Sequence, residues 1–398
     1  MSMATSTLPG TAHSAVLGVY RPAAPLFVAG AGRRLIDSEG NSYLDFASGI
    51  GVNALGYGDA GLSDAFRSAL ERGLVHTSNL YRTAPAEALA RELADRSFAD
   101  RVFFCNSGAE ANEAAFKFAR RWAGTAGGSQ KHEIVALRGA FHGRLFGALA
   151  ATDRPAMQQP FEPLMPGVRF VAVDDVPALD AAVSPATTAA IIAEPVQGEG
   201  GIKPLTPGFA RALRAAADAA NALLIFDEVQ CGLGRTGALF AYQHLGVEPD
   251  LLTLAKPLAG GLPMGATLLT ERVASAVQPG DHATTFGGGP LVASVALEVV
   301  QRIGAPVFLA AVRARGAQLG NRLAALRQQA GVVTEVRGLG LMWGIQLNVP
   351  AAPVVAAALA AGLLVTSAGE RVVRLLPPLT ITADEVDEGC DVLQGVLA

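Results

Sequence analysis

Apolar and polar positions alternate along residues 20–46, around Gly30, Gly32 and Gly40, which is the period of short antiparallel strands. Residues 46–53 lead into a glycine-rich turn. Helical spacing follows at residues 62–72 and 87–94. From there to about residue 290 the pattern changes. Near-continuous apolar runs of strand length fall at 102–105, 134–137, 168–173, 189–193, 222–226, 251–255 and 266–269, with helical stretches between several of them. Such strands alternating with helices predict a mostly parallel sheet covered on both faces. After Pro290 one long helical stretch is expected to residue 330, then a strand-rich region over 332–347. A helix at 353–361, strands at 363–366 and 372–376, and a helix at 384–396 close the chain. The expected fold class is α/β. Residues 51–295 form a large domain with a mostly parallel mixed sheet, and residues 1–50 and 296–398 a smaller α+β domain.

Composition narrows this picture only a little. A chain of 398 residues suggests about two domains. At 51% hydrophobic and 17% charged it carries no signature of disorder. A net charge of -4 with no lysine or arginine block argues against nucleic acid as a partner. Cys105, Cys231 and Cys390 have neither disulfide nor metal-site spacing, so a reducing, cytoplasmic setting is expected. Residues 1–12 lack the apolar core of a secretory signal. Residues 351–366 are apolar but alanine-rich, broken by Pro353 and Gly362, and short of a membrane span.

Candidate chemistry begins at Lys256. Of 31 basic residues only Lys117, Lys131, Lys203 and Lys256 are lysines, and Lys256 ends the apolar run Leu251-Leu-Thr-Leu-Ala. A buried amine has a lowered pKa and attacks carbonyls well; a lysine there also snorkels to water. Ser107, Gly108 and Ala109 stand where a strand turns into a helix. Uncovered N–H groups at that positive helix end seat a phosphate, or Ser107 is a plain N-cap. Asp227 ends the run Ala-Leu-Leu-Ile-Phe at the carboxyl edge of the sheet, where a buried carboxylate needs a cationic partner. The period of two places Val229 on its face. Phe141 offers cover for a flat ring, or is core. Arg144 and Arg374 sit beside apolar residues, as carboxylate-binding arginines do and surface ion pairs do too. Glu194 and Glu199 follow another apolar strand and need partners. Gly232-Leu-Gly-Arg-Thr-Gly237 matches a dinucleotide fingerprint in letters only. Five residues separate it from its strand, and no acidic residue closes the next strand.

Lysine, phosphate seat, buried aspartate and aromatic cover together match the needs of pyridoxal phosphate. The segments Phe103-Phe-Cys-Asn-Ser-Gly-Ala-Glu-Ala-Asn-Glu-Ala, Phe141-His-Gly-Arg, Glu194-Pro-Val-Gln-Gly-Glu-Gly-Gly, Ile225-Phe-Asp-Glu-Val-Gln and Thr285-Phe-Gly-Gly resemble class III aminotransferases. The resemblance covers nearly the whole chain. It implies the fold-type I architecture of pyridoxal-phosphate-dependent transferases, working as a homodimer with sites at the interface.

The resemblance also implies roles. Lys256 is the lysine that holds the cofactor covalently, and Asp227 the partner of its ring nitrogen. Ser107, Gly108 and Ala109 bind the phosphate, Phe141 and Val229 cover the ring, and Gln230 lies near the ring hydroxyl. Thr285 reaches the phosphate of the neighbouring subunit, with Thr284 near the substrate. Arg144 holds a substrate carboxylate, with Tyr20 near the same far end of the pocket. Arg374 holds glutamate's α-carboxylate, and Glu199 covers Arg374 when the other substrate is bound. The implied reaction moves the terminal amine of N-acetylornithine to 2-oxoglutarate. Succinylornithine, a carrier-linked diamine or 4-aminobutyrate are alternative donors, and an aminomutase or decarboxylase is an alternative reaction. Gly289, Pro257 and Tyr57 depart from the residues usual in the family.

Overall fold

The computed structural model describes residues 16–398; the reading of residues 1–12, and the start of the expected small domain, lie outside the described residues. A seven-stranded sheet forms the centre. Its order is Arg101–Cys105, Gly265–Leu269, Leu251–Leu254, Leu223–Asp227, Thr188–Ala193, Glu133–Leu137 and Val168–Val171. Only Gly265–Leu269 runs against its neighbours; the other pairings are parallel. Every residue of Thr188–Ala193, Leu223–Asp227 and Leu251–Leu254 is buried. Their unbroken apolar runs are what a sheet covered on both faces requires.

The helix Gly108–Gly127 shows how one face is covered. Ala111, Ala114, Ala115, Phe118, Ala119 and Trp122 recur at three- and four-residue spacing and are buried against the sheet. The small residues let the helix approach closely. At Gly265 the approach is closer still, because a β-carbon there would lie 2.4 Å from the Ser107 carbonyl oxygen.

Register decides which side chains meet. Phe226 pairs with Ala193 on one side, and Asp227 with Thr253 on the other. The three parallel strands therefore end along one edge, and Glu194, Asp227 and Lys256 emerge there side by side. That edge is where open α/β sheets hold ligands.

The chain ends build two smaller sheets. Phe27–Ala31, Arg34–Asp37 and Ser42–Asp45 pair antiparallel, and Leu363–Leu364 joins them in parallel. Val333–Leu339, Met342–Leu347, Val372–Leu375 and Thr366–Ser367 form the other. The single helical stretch expected after Pro290 is instead two helices, Pro290–Ile303 and Pro306–Gln329, meeting at 66°. Pro306 has no N–H to continue the first helix and opens the second. Residue 295, the expected domain limit, falls inside Pro290–Ile303, which packs on Ala60–Glu71 and Ala84–Asp95. Among the described residues no single helix is long and apolar enough to cross a membrane.

Residues 48–51 form a left-handed turn, with positive φ at Ser48 and Ile50 as well as at Gly49 and Gly51. For a β-branched residue this is strained, by about 1–3 kcal/mol per position. Asp45 holds it: one oxygen accepts from the Ala47 and Ser48 N–H groups, the other from Tyr57 Oη at 2.6 Å. Ser48 Oγ donates to the Leu376 carbonyl at 2.6 Å. The unusual Tyr57 is thus the third donor on Asp45.

Asp59 joins two of these helices. It caps Ala60–Glu71 by accepting from the Leu62 N–H at 2.9 Å, and Arg302 donates to it at 2.7 Å. The Arg302 hydrogen bond, opposed by burial and aided by the Leu62 N–H, holds its carboxyl below the ordinary value of 3.8. Asp59→Ala is expected to lose about 1–2 kcal/mol of stability in urea unfolding. Because the folded pKa is the lower one, this contribution is full above pH 3.8 and falls away below it. An equal difference between variant and parent at pH 7 and well below pH 3 would sink this assignment.

Candidate active site

A cavity of about 450 Å³ opens at the carboxyl edge of the central strands. Ser107, Gly108, Ala109, Phe141, Arg144, Glu199, Asp227, Val229, Gln230 and Lys256 all line it, as sequence reasoning expected them to meet. They come from separate strand ends and turns, brought together by the sheet register.

Asp227 is the most constrained of them. Its Oδ2 lies 2.7 Å from His142 Nδ1 and accepts from Asn112 Nδ2 at 2.8 Å. An ionised carboxylate only accepts, so the His142 proton sits on Nδ1. Oδ1 accepts from the Val229 N–H at 3.0 Å. Burial raises the carboxyl's pKa, but the hydrogen bond and field of His142, with the Val229 and Asn112 donors, outweigh it and keep the group below its usual value. The expected cationic partner is therefore an imidazole and an amide. Val229 is also placed otherwise than expected: the strand stops at Asp227, and a turn tied to Oδ1 brings Val229 to the cavity.

Asn112 was not singled out by sequence. Its Oδ1 accepts from Thr253 Oγ1 at 2.8 Å, which leaves both Nδ2 protons for Asp227 and for the His142 carbonyl, the latter at 2.7 Å. The available signal was its position one helical turn after Gly108, on the same face. Glu194 finds backbone partners, accepting from Phe141 N–H and Gly198 N–H, each at 3.0 Å. Burial pushes its carboxyl up to about 7.

Lys256 is half-buried, and desolvation is the main reason its pKa lies below lysine's ordinary value; the positive charge of Arg374 adds to this and Asp227 opposes it. Ser107 Oγ caps the helix by accepting from the Glu110 N–H at 3.2 Å. The N–H groups of Gly108 and Ala109, in the first turn, have no acceptor within their own helix. A β-carbon at Gly108 would lie 2.5 Å from Val229, so that position closes to any side chain.

Arg374 is 2% exposed, behind the cavity wall. It pairs with Glu199, donates to Thr366 Oγ1 at 3.1 Å and to Gln230 Oε1 at 3.4 Å. Arg144 is exposed at the mouth, with its guanidinium 5.8 Å from the Phe141 ring centre. Besides Arg374, three expected residues do not line this cavity. Tyr20 is 81% exposed. Thr284 and Thr285 line a separate surface cleft with Phe103, Phe104 and His282. Thr284 Oγ1 still reaches the site's edge by accepting from Asn106 Nδ2 at 3.3 Å. The Gly232–Gly237 segment is no phosphate loop. Its Arg235 is buried, donating to the Leu341 and Pro377 carbonyls.

The residues present fit pyridoxal phosphate. The cavity has the size of a small-cofactor site. It holds an amine of lowered pKa, an ionised buried carboxylate, a helix N-terminus for a phosphate, and apolar walls from Phe141 and Val229.

A family model described as Aminotransferase class-III matches residues 20–397. The mitochondrial acetylornithine aminotransferase of Alnus glutinosa is 47% identical over 384 residues, covering 95% of this chain and 84% of that protein. Among solved structures, an ornithine aminotransferase from Toxoplasma gondii, with partial occupancy of PLP at its active site, superposes with a TM-score of 0.92. It is 31% identical and covers 96% of this chain and 91% of its own. An N-acetylornithine aminotransferase from Stenotrophomonas maltophilia gives 0.83 at 37% identity, over 94% and 96%.

Replacing Asn112 with leucine strips one donor from Asp227 and leaves the Thr253 hydroxyl and His142 carbonyl unpaired. The expected loss is about 1–3 kcal/mol in urea unfolding, with pyridoxal phosphate bound about tenfold more weakly by fluorescence titration. Unchanged affinity would remove Asn112 from the support of the site.

Proposed function

The chain belongs to the class III aminotransferase family and is a pyridoxal-phosphate-dependent transaminase, and on that premise we propose that it moves the terminal amino group of N-acetylornithine to 2-oxoglutarate. One observation carries this reading. A buried arginine, Arg374, is neutralised behind the wall by Glu199, which lines the cavity that holds Lys256, while a second arginine, Arg144, stands exposed at the mouth.

Two substrates explain that arrangement. N-acetylornithine offers an amine at one end and a carboxylate at the other, so it needs Arg144 and an apolar passage between. Glutamate, which forms from 2-oxoglutarate, has a carboxylate next to its amine as well, and that group needs Arg374. With the first substrate bound, Arg374 would be an uncompensated buried cation, so Glu199 stays on it. With glutamate, Glu199 yields to the substrate carboxylate.

When bound, pyridoxal phosphate supplies the electron sink for the carbon that carries the amine. Asp227, kept ionised by His142 and Asn112, holds a proton on the ring nitrogen. Lys256 Nζ takes the proton from the amine-bearing carbon and later returns one, and its lowered pKa suits it to both. Phe141 and Val229 would exclude water from the ring faces, and the Gly108 and Ala109 N–H groups would hold the phosphate.

A second copy of the chain is part of the proposal. Leu80 and Phe286 are 88% and 67% exposed, beside Thr285 and with Val75 and Tyr81 also uncovered. Covering this apolar face with a second copy removes it from water and carries Thr285 to the partner's cavity.

A single-turnover panel tests the substrate. N-acetylornithine is expected to react faster than 4-aminobutyrate, and Lys256→Ala to slow the reaction by about 10²–10⁴-fold. If 4-aminobutyrate reacted and N-acetylornithine did not, the donor is misassigned; if Lys256→Ala kept the parent rate, so is the base.

A further inference from the structure

The turn that carries Glu199 is held more firmly than a moving cover needs. Glu194 accepts the Gly198 N–H at 3.0 Å, and Arg337 Nε donates to the Gly201 carbonyl at 2.8 Å. Between them, Arg154 Nη2 donates to the Glu199 carbonyl itself at 2.9 Å. The same Nη2 lies 3.2 Å from the Gly139 carbonyl, on the turn that leads to Phe141. Asp153 grips that turn too, accepting the Gly139 N–H at 2.8 Å while its own N–H donates to Ala140. Arg154 therefore ties the backbone of Glu199 directly to the turn bearing a cofactor-facing aromatic.

From this geometry we infer that Arg154 is a positioning residue that sets the choice between the two amine donors, by fixing the Glu199 backbone so that only its side chain moves. With the Cα held, the Glu199 carboxylate has two places to be, on Arg374 or turned away. The balance between them decides which donor the site favours. This rests on the dual-donor reading above. If the tie is cut, the turn relaxes and Glu199 sits on Arg374 less of the time. Glutamate then displaces it more easily. A donor without a carboxylate beside its amine meets an uncompensated buried cation. The two donors must respond in opposite directions, which simple loss of structure does not produce.

The test compares Arg154→Gln, Arg154→Lys and Glu199→Gln holoenzymes. Each is measured for kcat and KM with glutamate and with N-acetylornithine, for the Kd of glutarate by calorimetry, and for thermal unfolding. In Arg154→Gln the ratio of kcat/KM values is expected to move about tenfold towards glutamate, the worth of one charged hydrogen bond. The change should lie in KM, with glutarate bound more tightly. Arg154→Lys restores most of the parent ratio, and Glu199→Gln shifts it further in the same direction. If both donors weaken equally in Arg154→Gln, or the ratio stays within about twofold, the inference is overturned while the dual-donor reading stands on the Glu199→Gln shift. If Glu199→Gln leaves the ratio unmoved, both fall together.

Discussion

A carboxylate taken out of water must be met by donors or give up its charge. Asp227 is met by three: the His142 imidazole and the Asn112 amide on Oδ2, and the Val229 N–H on Oδ1. Much of the site follows from that one requirement. The histidine brings the Gly139–Gly143 segment and its Phe141 to the cavity. The amide fixes the roll of the Gly108–Gly127 helix, and so the direction of its N-terminus. The Val229 bond turns the chain out of its strand. Thr253, adjacent to Asp227 in the sheet, orients the amide in turn.

Arg374 poses the same problem with the opposite sign. Its solution is not permanent, because the compensating Glu199 is a side chain on a clamped turn and not a backbone carbonyl. Arg235, buried as deeply, shows the permanent solution: it donates to two carbonyls, and desolvation brings its pKa down to about 9. One buried arginine is settled by main chain and is structural. The other is settled by a group that can leave, and that makes it available to a ligand.

The parts legible in the sequence were those where a residue type contradicts its neighbours. A carboxylate ending an apolar run and a lone lysine ending another gave Asp227 and Lys256, and the unbroken runs themselves gave the central sheet. Asn112 was not legible, because an asparagine on an amphipathic helix is ordinary until its partners, 115 and 141 residues away, are known. Val229 was assigned by strand period to a place that a side-chain hydrogen bond in fact provides. The bend at Pro306 was readable from the proline but not its 66° angle, which packing decides. Tyr20, Thr284 and Thr285 stay apart from the cavity: Tyr20 is exposed, and the two threonines line a separate surface cleft.

The common edge of the three parallel strands has a kinetic side. Glu194, Asp227 and Lys256 become neighbours only when Thr188–Ala193, Leu223–Asp227 and Leu251–Leu254 have paired, and each parallel pairing must wait for its crossover to close. None of these strands carries the site by itself. The ligand therefore meets only molecules whose central sheet is already in register, and by mass action it holds them there. Occupancy of the site becomes a record of folding completed, and a slipped register would be silent towards the cofactor before it was visible anywhere else.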